Sequence, residues 1–142
     1  MKKVKERIAD AYKWAVANRP KVNGYPHLAE ALKQAGVTRY VCNLPSCQCI
    51  YFANDGCIVN QGDTLVAGMS DIPRFDKEAF IHVLRKSQNG DCTFPEFLKG
   101  TWEAGVISYE ADLMARKVSY YGAKGESYVE DYPAVELKGL EF

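Results

Sequence analysis

Apolar residues recur every three or four positions from Val4 through Ile8, Ala11, Tyr12 and Ala15. That spacing lines one face of an amphipathic helix, and it breaks off at Ala17-Asn18-Arg19-Pro20. A shorter helix is predicted from Pro26 to Ala35. Proline fits a first turn, where its missing N–H has no partner to lose. Gly36 then closes the helix in a left-handed conformation. Beyond Gly36 the period changes to two. Thr38, Tyr40 and Cys42 share a face with Cys49, Tyr51 and Ala53 across a turn at Pro45-Ser46, the alternation of an antiparallel hairpin with one buried side.

The same succession returns later in the chain. Asp76 is placed to cap a helix running to about Ser87, with Phe75 and Phe80 as a hydrophobic staple. Pro95 to Ala104 reads as a second helix, opened by a Thr93/Glu96 capping box and closed by Gly105. Ile107, Tyr109 and Ala111 then face Val118 and Tyr120 across a turn at Met114-Ala115. Ser108, Glu110, Lys117 and Ser119 fall on the opposite side. Third strands are expected at "CIVNQ" after Gly56 and "ESYVEDY" after Gly125, and one short strand at Thr64 to Ala67 in the connection.

A shift of 69 positions lays the two passages over each other: Pro26 on Pro95, Ala35-Gly36-Val37 on Ala104-Gly105-Val106, Tyr40 on Tyr109, Leu44 on Leu113, Tyr51 on Tyr120 and Gly56 on Gly125. The expected fold is α+β: two fused helix-helix-β-meander units with antiparallel strands and one shared core. Residues 2–67 form the first pseudo-repeat and 75–133 the second, within a single domain spanning 1–142. Neither copy alone would bury enough surface to be stable.

Composition narrows the function classes. Hydrophobic residues are 47% and charged residues 25% of 142, the balance of a soluble globular chain. Lys plus Arg equals Asp plus Glu at 18 each, which leaves no electrostatic footprint for nucleic acid. No apolar run reaches bilayer length, and Asp10 and Lys13 interrupt any secretory-signal core, so neither a membrane nor an export route is expected. A cytoplasmic location follows, where thiols are kept reduced.

Four of five cysteines lie between Cys42 and Cys57. The register sets Cys42 opposite Cys49, at positions filled by Ala111 and Val118 in the second copy, so the pair reads as small apolar filler. A zinc site on Cys42, Cys47, Cys49 and Cys57 is the alternative. Its spacing is unlike a knuckle, and a C-x-C pair in a strand points its sulfurs to opposite faces. A Cys42–Cys49 disulfide is geometrically feasible but disfavoured in a reducing compartment. Cys92, beside a helix cap, reads as an incidental thiol.

Other chemistry is sparse. "SQNGDCTFPEFL" has the look of a calcium loop, yet Arg85 stands where the first carboxylate is needed. His27 and His82 sit in no nucleophile motif. Glu110, Asp112, Glu126, Glu130 and Asp131 alternate with aromatics and read as a solvated face. No catalytic residue is assigned, and no cofactor is expected apart from zinc at the cysteine cluster. That zinc makes a metal-binding or thiol-dependent small enzyme or sensor the alternative to a non-enzymatic accessory protein. Nine tyrosines, with Tyr121 turned away from Tyr120, suit a contact with another protein or with a second copy.

Residues 94–133, "FPEFLKGTWEAGVISYEADLMARKVSYYGAKGESYVEDYP", resemble the YbcV-like family of small bacterial and prophage-borne proteins, often labelled "phage envelope protein". The shared marks are the helix ending in Ala-Gly-Val, the "YYG" strand and the "GE" turn. The resemblance implies a duplicated α+β domain without catalytic residues to carry over. It does not extend to the Cys42–Cys57 cluster.

Overall fold

A computed structural model describes residues 2–142. Its elements are α1 (Val4–Asn18), α2 (Tyr25–Gln34), β1 (Val37–Asn43), β2 (Gln48–Ala53), β3 (Gly56–Gln61), α3 (Lys77–Gln88), α4 (Phe94–Glu103), β4 (Val106–Asp112), β5 (Lys117–Gly122) and β6 (Ser127–Asp131). The strands form one six-stranded sheet in the order β3-β2-β1-β4-β5-β6, antiparallel throughout. Two helix–helix–meander units therefore meet edge to edge, joined where β1 pairs with β4.

The repeat is visible in the ladder itself. Tyr40 pairs with Tyr51 as Tyr109 does with Tyr120, and Cys42 with Cys49 as Ala111 does with Val118. Even the irregularity recurs, between Val37 and Arg39 and between Val106 and Ser108. At the junction Tyr40 faces Ala111 while Cys42 faces Tyr109, so a pseudo-twofold axis passes through the Val41–Glu110 pair. Leu44 N–H donates to the Ile107 carbonyl at 2.9 Å, and its counterpart Leu113 donates to Thr38 at 3.0 Å. In ladder register the copies diverge at the outer strand: Tyr51 pairs with Ile58, but Tyr120 with Tyr128, one residue further on.

Helix ends follow local chemistry. The Asp76 carboxylate accepts from Ala79 N–H at 3.0 Å. Thr93 and Glu96 make both bonds of the capping box, at 2.9 and 3.3 Å. Gly36 and Gly105 close α2 and α4 at φ +104° and +87°, backbone that a side chain would strain. Each of these two helices starts and stops one residue earlier than expected, as fraying ends commonly do.

Residues 64–67 are not a strand. Both Leu65 and Val66 amides donate to the one carbonyl of Pro45, at 3.0 and 3.2 Å. One shared acceptor folds the chain over the β1–β2 turn and cannot propagate a ladder.

Helices cover one face of the sheet. Tyr40, Cys42, Tyr51, Ala111, Val118 and Tyr120 on that face are buried with Ile8, Ala11, Leu32, Phe80 and Leu84 from the helices. None of the strand residues on the other face is buried.

Candidate functional site

The structure separates the four candidate zinc ligands. Cys42 and Cys49 stand directly opposite on β1 and β2, with Cα atoms 4.1 Å apart, and their sulfurs are bonded to each other. The expected free thiols are therefore corrected to a cross-strand disulfide on the helix-covered face. Close pairs of this kind alternate with hydrogen-bonded ones, which is why the side chains approach so nearly. Cys57 pairs with Phe52, one residue out of phase with Cys49, and so projects from the opposite face, exposed. Cys47 sits in the turn at φ +53°. Burial pushes its thiol up against a smaller opposing effect from the Leu65 amide, which suppresses the thiolate a metal or an electrophile would need. Among the described residues, no group of three or more His, Cys, Asp or Glu side chains is arranged to hold a metal ion.

The carboxylates also divide by face. Glu110 meets Arg39 at 2.9 Å on the open side. Asp112 turns back onto the Met114 and Ala115 amides. Glu130 departs from the expected solvated face: β6 carries it to the helix side, where Arg85 of α3 donates to it at 2.5 Å. His82 is exposed. A hollow between α2 and the C-terminal segment, lined by Glu30, Lys33, Arg116 and Tyr132, holds about 10 Å³, room for one water and no substrate.

Tyrosines dominate the covered face. Tyr12 and Tyr51 hydroxyls meet at 2.5 Å, and Tyr25 and Tyr40 at 2.6 Å. Ring centroids step from Tyr51 to Tyr40 at 5.4 Å, to Tyr109 at 6.5 Å, and on to Tyr120 at 5.8 Å. Burial raises the phenol pKa of Tyr12, Tyr25, Tyr40, Tyr109 and Tyr120 far above the usual value, and that of Tyr132 to about 12. Tyr12, Tyr51, Tyr25 and Tyr40, neutral and paired tip to tip, are packing groups with satisfied hydroxyls. Their pairing was invisible in the sequence because each bond joins a helix to a strand.

The uncovered face remains. Across it run Val59, Ile50 and Val41 in one row, continuing through Glu110 and Ser119 to Val129. Phe52 and Cys57 adjoin the apolar end, with the Arg39 guanidinium stacked 3.8 Å over the Phe52 ring. Val59 is 60% exposed and Ile50 37%. The outer edges differ in kind. Strand β3, Gly56-Cys57-Ile58-Val59-Asn60-Gln61, has no charge. Strand β6 carries Glu130 and Asp131, follows Glu126 and stops before Pro133.

Comparison with known proteins places the chain. A family model described as "Protein of unknown function (DUF1398)" matches residues 13–131. The chain belongs to the DUF1398 family. The DUF1398 match runs from within α1 to the end of β6, so it takes in both copies of the repeat. Uncharacterized protein Rv2012 of Mycobacterium tuberculosis is 42% identical over 125 residues, covering 88% of this chain and 76% of the relative. Uncharacterized protein Mb2035 of Mycobacterium bovis is similar to the same extent. Among the described residues no helix is long and apolar enough to cross a membrane.

Proposed function

We propose that this DUF1398 protein is a non-enzymatic accessory protein that acts by self-association, using the first-copy half of its sheet as the contact surface. One observation carries the reading: half-buried Val41 and exposed Ile50 and Val59 form an apolar row that reaches an uncovered, uncharged outer strand. Surface of that kind is enriched where proteins meet. The test is sedimentation velocity across a concentration series of the purified chain. A reversible dimer is expected for the wild type and a monomer with unchanged far-UV circular dichroism for Val59→Lys, because a lysine there must be desolvated on contact. A wild type that remains monomeric throughout would falsify the reading.

A cytoplasmic location and a prophage origin belong to the same proposal, in which the Cys42–Cys49 bond is open in the reducing cell and closes on oxidation. The origin rests on the resemblance of residues 94–133 to the YbcV-like family. Integrase and capsid genes flanking its coding sequence would support it, and housekeeping neighbours would overturn it.

A further inference from the structure

We infer that two copies join by pairing β3 with β3 across a twofold axis at Val59, extending the two sheets into one of twelve strands. This rests on the self-association reading and specifies its geometry.

The backbone phase of the ladder decides which groups are free. Cys42 and Cys49 form a close pair, with Cα atoms 4.1 Å apart, and such pairs exchange no backbone hydrogen bonds. Their amides and carbonyls must therefore point to the outer neighbours, Cys49 towards Asn60 of β3. Gly62 N–H donates to the Cys47 carbonyl at 3.0 Å, in the same phase. Residues 56, 58, 60 and 62 are thus turned inward, while the amides and carbonyls of Cys57, Val59 and Gln61 face outward. The chain leaves β3 by folding over Pro45, away from that edge.

These outward groups are self-complementary. In an antiparallel pair centred on Val59, that residue meets its own copy, and Cys57 meets Gln61 of the second chain. All three amides and all three carbonyls of each strand then find partners. The apolar row Val41-Ile50-Val59 continues unbroken into its copy across the axis.

The opposite edge is the built-in comparison. Gly122 N–H donates to the Glu126 carbonyl and Tyr132 N–H to that of Arg116, so Ser127, Val129 and Asp131 hold the outward groups of β6. Asp131 is one of those outward residues, Glu126 precedes them as Asp55 precedes β3, and Pro133 ends the segment. Charge and proline are the usual means by which an edge strand refuses a partner. One outer strand thus carries an outward acid and ends at proline, while the other is uncharged along its whole length. The internal β1–β4 seam shows that this unit already pairs across a twofold.

Proline tests the inference, because at Val59 it deletes an outward N–H and no bond within the chain. Wild type, Val59→Pro, Val129→Pro and Ile50→Lys are compared by sedimentation velocity at about 100 µM, where a small interface is still occupied. Thermal melting of each variant checks its fold. The wild type and Val129→Pro should be dimers, and Val59→Pro should dissociate with at least a tenfold weaker constant. In a Cys57→Ser background, Val59→Cys should crosslink to its copy on mild oxidation, since facing residues in a hydrogen-bonded pair have Cα atoms about 5.5 Å apart. A dimer that survives Val59→Pro but is lost in Ile50→Lys overturns the edge pairing and keeps self-association, moved to the open face. Loss of the dimer in Val129→Pro overturns it in favour of head-to-tail pairing of β3 with β6. A monomeric wild type overturns both readings. If Val59→Pro fails to fold, the crosslink decides alone, and its absence overturns the pairing.

Discussion

Cys42 and Cys49 occupy the places that Ala111 and Val118 hold in the second copy, and the rest of the two hairpins match around them. Packing alone therefore needs no sulfur there, and the bond must act chiefly on the unfolded chain. Closing so short a loop is worth about 2 kcal/mol. For a chain of this size, reduction should lower the melting temperature by roughly 5–8 °C. The Cys42→Ala/Cys49→Val variant should melt at one temperature with or without dithiothreitol. Calorimetry checks both; a wild type indifferent to reductant would mean that the purified protein does not hold the bond. The residues' opposition was legible from hydrophobic alternation. Their bonding was not, because it depends on redox environment as well as on geometry.

At the scale of elements, the equivalent helix ends reach one outcome by different means. The Ala35 carbonyl at the end of α2 accepts from Arg7 Nε at 2.7 Å, whereas its counterpart Ala104 accepts from Asp76 N–H at 2.8 Å. Arg7 and Asp76 are themselves equivalent positions under the 69-residue shift. The side chain of one copy does the work of the main chain in the other. The following glycines inherit that difference. A Cβ on Gly36 would meet only the Arg7 guanidinium at 3.4 Å, while one on Gly105 would lie 2.5 Å from the backbone of Arg74 and Phe75. Gly36→Ala should therefore destabilise by about 1–2 kcal/mol through its φ alone. Gly105→Ala should exceed about 3 kcal/mol, since backbone cannot swing aside as a side chain does. Urea titrations of the two variants give the comparison, and equal midpoints would contradict it. Helices, hairpins and capping box were readable because each is encoded by near neighbours, such as Thr93 with Glu96. The crossing at residues 64–67 was not, because its conformation is set by the distant Pro45 carbonyl.

Across the whole molecule, a row of phenols ties helices to sheet from Tyr12 to Tyr120. Their folded pKa values are raised by burial above an unfolded value near 10. The sign follows directly: the fold holds them neutral, so their contribution is complete below pH 10. It is lost as pH climbs through 10 towards the folded values, first for Tyr132 near 12. The urea midpoint should thus be flat from pH 8 to about 9.5 and fall steeply above pH 10. Absorbance at 295 nm should show the buried phenols ionising only as the chain unfolds. Ionisation of all nine tyrosines at pH 10 with the fold intact would refute the arrangement.

The one-residue difference between the outer connections is small, yet it marks where the halves ceased to be interchangeable. Had both termini of the sheet stayed alike, every joined subunit would have offered a fresh docking strand, and growth would have run on as a filament. In the proposed dimer only one end is receptive, so the first joining would consume the means of a second. Divergence within a single polypeptide would cap stoichiometry at two.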